Sequence, residues 1–267
     1  MMDASAIAAL DFTRLGPPKG TRIAVVGGCG GIGRALVGAS LEIGMKVAVL
    51  DLPSSLQRHT PPNTCLQHAI DATDEVSVNA AFDAIDQAWG GLDVMVNLCG
   101  FTNEFEPVAE MTSDTWDEIT DGNLRSAFLC VRAALPLLKK SGHGAIINTA
   151  SGLAYKGLAG TSPYGAAKAG VIALSKSLAN ENAPDIRVNV IAPGAVDTAF
   201  LRGGTSRTGD DENHPTHINT ERYADATPMK RLAVVDDVVA PILFLSGDAS
   251  RFITGQVIHI NGGGFMP

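Results

Sequence analysis

Short apolar runs alternate with longer helical patterns through most of this chain, and no other feature restricts its fold as strongly. Residues 23–26, 46–50, 65–69, 92–96, 145–148, 187–191 and 257–260 read as strands, and 31–44, 74–89, 113–140, 161–182 and 235–247 as helices. Several strands are apolar at successive positions, as a parallel sheet covered by helices on both faces requires. Strand and helix in alternation imply right-handed crossovers. The expectation is therefore a single α/β domain over residues 21–267: a doubly wound, seven-stranded parallel sheet flanked by helices. Residues 1–20 end in Gly16-Pro17-Pro18-Lys19-Gly20 and read as an N-terminal arm. Residues 199–228, rich in Gly, Thr, Asp, His and Asn without a clear period, read as a substrate lid.

With 267 residues the chain can bury one sizeable core. Its net charge of −8 argues against a nucleic-acid or anionic-membrane surface, since both need a basic patch and none is present. No apolar run is long enough to span a bilayer. The start, MMDASAIAALDF, lacks the basic and apolar regions of a secretory signal. Cys29, Cys65, Cys99 and Cys130 lie far apart and form no CxxC pair, so reduced thiols and a cytoplasmic location are expected. No metal site is expected either. Cys65 and His68 would point to opposite faces of a strand, and His214 and His217 fall in the irregular stretch.

The first strand runs into Gly27-Gly28-Cys29-Gly30-Gly31-Ile32-Gly33, followed by a helical pattern from Arg34. Glycines at such a turn let the backbone approach a pyrophosphate, whose charge then sits at the helix N-terminus. The string fits two registers: Gly28, Gly30 and Gly33 match G-x-G-x-x-G, while Gly27, Gly31 and Gly33 match G-x-x-x-G-x-G. Taken alone, a tight connection explains either. Eighteen residues past Gly33 the second strand ends in Asp51. An acid there accepts hydrogen bonds from the adenosine ribose and repels a 2′-phosphate, and the turn holds no Arg or Lys to attract one. NAD is favoured over NADP. The third strand ends at Asp71, which either meets an adenine edge or simply starts a turn.

Tyr164 and Lys168 lie four apart in a helical pattern, which puts both on one face. A phenol titrates near 10, and a neighbouring ammonium in a low-dielectric cleft would favour its phenolate. Ser151 closes the fifth strand thirteen residues earlier, at the carboxyl end of the sheet, where doubly wound folds bind ligands. Asn123 follows Gly122 inside the long helix 113–140, a costly pairing in a helix interior.

With these residues in place the chain resembles the short-chain dehydrogenase/reductase family from about residue 20 to the end. The matches include Gly31-Ile32-Gly33, Asp71, Asn97-Leu98-Cys99-Gly100, Asn123, Ser151, Tyr164-x-x-x-Lys168, Arg187-Val188-Asn189, Pro193-Gly194 with Thr198, Thr254-Gly255-Gln256 and Gly262-Gly263. The resemblance implies a Rossmann fold and hydride transfer between a nicotinamide and an alcohol or ketone. It implies that Tyr164 is the general acid–base, that Lys168 holds the nicotinamide ribose and lowers the tyrosine pKa, that Ser151 binds the reacting oxygen, and that Asn123 positions a relay water. Gly27, Gly31, Ile32, Gly33, Asp51, Asp71, Asn97, Gly100, Pro193, Gly194, Val196 and Thr198, together with Tyr164 and Lys168, would contact the cofactor. It also implies a homotetramer formed through helices 113–140 and 161–182 and an apolar C-terminal edge. Two departures stand out: Val26 replaces the usual Thr, and Leu98-Cys99 replaces Asn-Ala, which suggests an apolar contact in place of a hydrogen-bonded tie.

Two other readings stay open. One is a 3-oxoacyl-[acyl carrier protein] reductase using NADP, which Asp51 opposes and for which Asn180-Glu181-Asn182 lacks the basic docking residue. The other is a non-catalytic NAD sensor, which would tend to have lost the tyrosine, lysine or serine. Phe101, Leu153, Tyr155, Ala195, Phe200 and the 199–228 lid are expected to flank the substrate pocket or to pack beneath it.

Overall fold

The computed structural model describes residue 11 and residues 14–102, 105–202 and 218–267. Within these, β1 (Arg22–Val26), β2 (Lys46–Asp51), β3 (Leu66–Ala69), β4 (Val94–Asn97), β5 (Gly144–Thr149), β6 (Ile186–Pro193) and β7 (Val257–Ile260) form one sheet. Its order is β3-β2-β1-β4-β5-β6-β7, and every adjacent pair is parallel. The expected seven-stranded, doubly wound α/β architecture is therefore present.

The helices are α1 (Gly31–Glu42), α2 (Pro53–Arg58), α3 (Glu75–Trp89), α4 (Ser113–Thr120), α5 (Ser126–Lys139), α6 (Ser162–Asn182), α7 (Thr220–Ala226) and α8 (Val235–Ser246). Alternation along β1 shows how the two layers arise. Ile23 and Val25 join the core under α1 and α8, with Leu36, Val238 and Ile242. Ala24 and Val26 join the core under α3 and α5, with Phe82, Ile85 and Leu129. Each large side chain so buried contributes roughly 1.5–3 kcal/mol. Asp74 starts α3 by accepting hydrogen bonds from the amides of Val76 and Ser77, and left-handed Gly90 ends it.

Helix 113–140 stays helical but changes its winding. Between α4 and α5 the backbone widens into a π-helical turn, Asp121–Arg125. The cause is side-chain competition. Asn123 Nδ2 donates to the carbonyls of Ile119 and Phe101, both at 2.8 Å. Phe101 packs against Gly122 so closely that a Cβ there would overlap its ring. The unfavourable Gly-Asn pair thus marks this widened turn, of the kind often found at functional sites.

The strand order reverses between β1 and β4, so their carboxyl ends open the crevice that a doubly wound sheet offers to ligands. α2 and α7 were not expected; α7 lies inside the stretch read as a lid. Residues 203–217, with His214 and His217, and most of the N-terminal arm lie outside the described residues. Among the described residues no helix is long and apolar enough to cross a membrane, no group of His, Cys, Asp or Glu could hold a metal ion, and the four cysteines are free thiols.

Candidate active site

A cleft of about 900 Å³ runs along the carboxyl ends of the central strands, from the glycine turn to α7. Gly27, Gly31, Ile32, Gly33, Asp51 and Asp71 line one end. Gly100, Ser151, Tyr164 and Lys168 line the middle, and Pro193, Gly194, Val196 and Thr198 line the wall from β6 onward. Asn97 and Asn123 sit behind the lining. Asn97 is buried, and its Oδ1 accepts from the amide of Cys99 at 3.0 Å, shaping the exit of β4.

The glycine end is shaped for a dinucleotide phosphate. A Cβ on Gly33 would overlap the Gly27 carbonyl oxygen and stand 2.7 Å from the Gly28 backbone, so only glycine lets the turn close onto the helix. α1 begins with no capping side chain and no acid in its first turn, which leaves its first amides for an anion. Asp51 Oδ2 accepts from the amide of Cys29 and Oδ1 from that of Leu52, both at 2.8 Å. Its carboxylate is thereby tied to the rim of the turn. Asp71 Oδ1 accepts from the amide and hydroxyl of Thr73, the turn-starting role, and it also lines the cleft. At the departures, Leu98 N donates to Val26 O at 2.9 Å. Val26 and Cys99 share one core face, but Leu98 packs on the opposite one. The apolar exchange therefore joins Val26 to the side of Cys99 alone.

The middle of the cleft gathers the four residues expected to do chemistry. Tyr164 and Lys168, one turn apart on α6, are both almost fully buried. Lys168 Nζ donates to Thr149 O at 3.0 Å and Cys99 O at 3.4 Å, and lies 5.6 Å from the Tyr164 ring centroid. Ser151 Oγ accepts from the amide of Leu153 at 3.2 Å, which leaves its proton for another partner. Gly100 has φ +151°, and a Cβ there would overlap Asn123 Oδ1 and stand 2.9 Å from Lys168 Nζ. The glycine thus brings amide and ammonium to opposite sides of one small space. Asn123 Oδ1 is buried without a hydrogen-bond partner, an acceptor suited to a bridging water.

Electrostatics differ from the expectation on one point. Burial pushes the Tyr164 phenol up to about 12, opposed by a hydrogen bond with Ser151. Burial brings the Lys168 ammonium down to about 8, opposed by Cys99. The ammonium does not lower the phenol in this state, because it is turned toward the Thr149 and Cys99 carbonyls. Tyr164 is a protonated donor at neutral pH.

Phe101, Leu153, Ala195 and Phe200 line the cleft as expected. Tyr155 does not; its ring packs against His259 at 5.0 Å and Phe265 at 6.0 Å between centroids. Ile218, Arg222 and Tyr223 of the 199–228 stretch line it too, and Phe105, Lys156, Leu158 and Phe265 line it unforeseen. Tyr223 Oη accepts from the amide of Ala195 at 3.0 Å, 28 residues away, and a Cβ on Gly194 would stand 2.6 Å from that oxygen. No local pattern signals such a pairing, although a glycine after Pro193 hints at close approach.

The chain is similar to known proteins over most of its length. A family described as enoyl-(acyl carrier protein) reductase matches residues 27–264. The chain is 33% identical over 257 residues to a 3-oxoacyl-[acyl-carrier-protein] reductase FabG of Staphylococcus aureus, covering 93% of this chain and 100% of that protein. It is 28% identical to the levodione reductase of Leifsonia aquatica over 250 residues, 90% of this chain and 92% of the other. Among solved structures, the ligand-free aldohexose dehydrogenase of Thermoplasma acidophilum superposes with a TM-score of 0.80 at 28% identity, over 91% of this chain and 94% of that one. A levodione reductase crystal structure gives 0.81 at 27%, over 92% and 98%. With its sheet order, its glycine turn and its Ser151, Tyr164 and Lys168, the chain belongs to the short-chain dehydrogenase/reductase family of oxidoreductases.

Proposed function

We propose that the protein transfers a hydride between NAD(H) and a secondary alcohol or ketone, with Tyr164 as the group that gives and takes the proton. The observation that carries this reading is the clustering of Ser151, Tyr164 and Lys168 in one cleft with the glycine turn. When bound, the nicotinamide supplies or accepts the hydride. Gly27, Gly31, Ile32 and Gly33 would hold its pyrophosphate, Asp51 the adenosine ribose, Asp71 the adenine edge, and Asn97 and Gly100 the middle of the molecule. Pro193, Gly194, Val196 and Thr198 would flank the nicotinamide, and Lys168 would bind its ribose.

In ketone reduction the Tyr164 hydroxyl donates its proton to the carbonyl oxygen as negative charge develops there. Ser151 donates a hydrogen bond to the same oxygen and stabilises that charge. Tyr164 is then reprotonated through Lys168, and the Asn123 carbonyl oxygen holds the water that reaches the ammonium from outside. Burial raises that phenol to about 12, so it is protonated and available as a donor at neutral pH. Oxidation needs added positive charge beside it.

NAD is favoured by Asp51, whose carboxylate lines the cleft at the end of β2 and would repel a 2′-phosphate there. The likeness to FabG favours a second reading, a 3-oxoacyl-[acyl-carrier-protein] reductase using NADP. A product-coupled screen of alcohols, ketones and acyl thioesters with each cofactor separates the two. Turnover of simple alcohols or ketones with NAD supports the first reading; turnover of 3-oxoacyl thioesters with NADPH alone replaces it. A substrate-lid role for 199–228 is supported by Phe200, Leu201, Ile218 and Tyr223 lining the cleft. A homotetramer accords with exposed Trp116 and Phe128 on α4 and α5 and with fully exposed Phe252, and light scattering tests it. The four free thiols accord with a cytoplasmic location.

A further inference from the structure

We infer that the substrate carries a carboxylate on an apolar body and that Arg222 and Lys156 receive this carboxylate at the outer end of the cleft; the inference rests on the reaction proposed above. The chain carries a net charge of −8. Yet among the described residues the acids lining the cleft are Asp51 and Asp71, both at the glycine turn. Among the described residues the α7 end has none. Its cations are Lys156 and Arg222. The other two cations of the cleft are already committed: Lys168 is buried on carbonyls, and Arg34 donates to Cys29 O in the turn.

Both free cations are held near the reacting centre by their backbones. The Lys156 amide donates to Gly152 O at 3.0 Å, which fixes it one turn beyond Ser151. Arg222 precedes Tyr223, whose hydroxyl docks α7 onto the amide of Ala195. Neither side chain has an ion-pair partner among the described residues, whereas the exposed Arg231 and Lys140 are paired with Asp237 and Asp86. The lining there includes the apolar Phe101, Leu153, Leu158, Phe200, Ile218 and Phe265 beside a few uncharged polar groups such as Asn219 and Asn261. Positive charge without an acid beside it among the described residues, at the mouth of a largely uncharged cleft, attracts an anion and fixes which end of it enters first. Each cation at such an exposed position is expected to strengthen carboxylate binding by up to about fivefold.

The test uses NADH-loaded protein and reads binding by calorimetry, with octanoate, octanamide and octyl phosphate as probes. Octanoate should bind about tenfold or more tightly than octanamide. Its preference should shrink in Arg222→Gln, nearly vanish in Arg222→Gln/Lys156→Gln, and weaken in wild-type protein at high salt. The salt arm decides the matter even if a variant fails to fold. Equal binding of acid and amide, no binding of either, or a preference that neither salt nor substitution moves overturns the inference. So does a preference for octyl phosphate without one for octanoate, which would point to a phosphate-bearing carrier. If octanoate binds as expected but 3-hydroxyoctanoate is never oxidised with either cofactor, the anion site stands and the proposed reaction falls.

Discussion

At the glycine-turn end the cleft is walled by backbone, and at the α7 end by side chains from short helices and connections. At the first, a Cβ on Gly33 would collide with the preceding turn, and the Asp51 carboxylate is tied to two amides. At the second, Tyr223 makes one hydrogen bond to Ala195 N, and Arg222 lies exposed. A backbone wall admits one shape and tolerates little change. A wall of side chains can be altered residue by residue while the fold persists. The contrast matches the division of labour in the proposed reaction, with a constant cofactor at one end and a chain-specific substrate at the other.

The largest effect is expected where backbone meets backbone. Gly33→Ala should cost about 3 kcal/mol, the upper end of the usual range for overpacking, since neither the Gly27 carbonyl nor the Gly28 backbone can yield cheaply. Thermal unfolding should show a clear drop in Tm, and NADH titration a loss of binding. A variant with normal Tm and affinity would break the comparison at its rigid end.

Lys168, between the two ends, gives the next effect. Its folded pKa of about 8 lies below the ordinary 10.5. Between those values the unfolded chain binds more protons than the folded one, so this group makes stability rise with pH through that window. Below pH 8 the cost of burying the ammonium is fully present, on the order of 2–3 kcal/mol. Lys168→Met should therefore melt higher than the wild type at pH 7, with the gap closing toward pH 10.5, while turnover is lost. A gap that does not change with pH would show that the gain comes from packing.

The two ends were unequally legible in sequence, for the same physical reason. Gly31, Gly33 and Asp51 are separated by spacings that a strand, a turn and a helix impose, so periodicity alone brings them together. Tyr164 and Lys168 share a helical face for a similar reason. Asn123 beside Gly122 was legible as a conflict with helix propensity, but not as a π-helical turn, because the side-chain bonds to Phe101 and Ile119 that widen the backbone are tertiary. At the α7 end little could be read. Tyr223 meets Ala195 across a long irregular stretch, and Tyr155 turned to His259 and Phe265 instead of the cleft. The high pKa of Tyr164 was missed because it depends on burial and on where the Lys168 ammonium points.

Smaller effects sharpen the contrast. Asp51→Ala removes a side chain from the backbone-built end, and the ratio of kcat/KM for NAD over NADP should fall by about tenfold as the repulsion of a 2′-phosphate disappears. An unchanged ratio would remove Asp51 from cofactor choice. Tyr223→Phe leaves the Ala195 amide unpaired and should cost about 1 kcal/mol. It should raise KM for the alcohol or ketone while hardly moving NADH affinity. A matching loss of NADH affinity would mean that the two ends are coupled.

The central claim is that Tyr164 moves the proton in a cleft whose cofactor end works independently of it. Its most direct test is Tyr164→Phe, with NADH affinity measured by fluorescence titration and turnover measured at saturating cofactor. The variant should keep wild-type NADH affinity while kcat falls by about 10²–10⁴-fold. Near-normal turnover in that variant would contradict it.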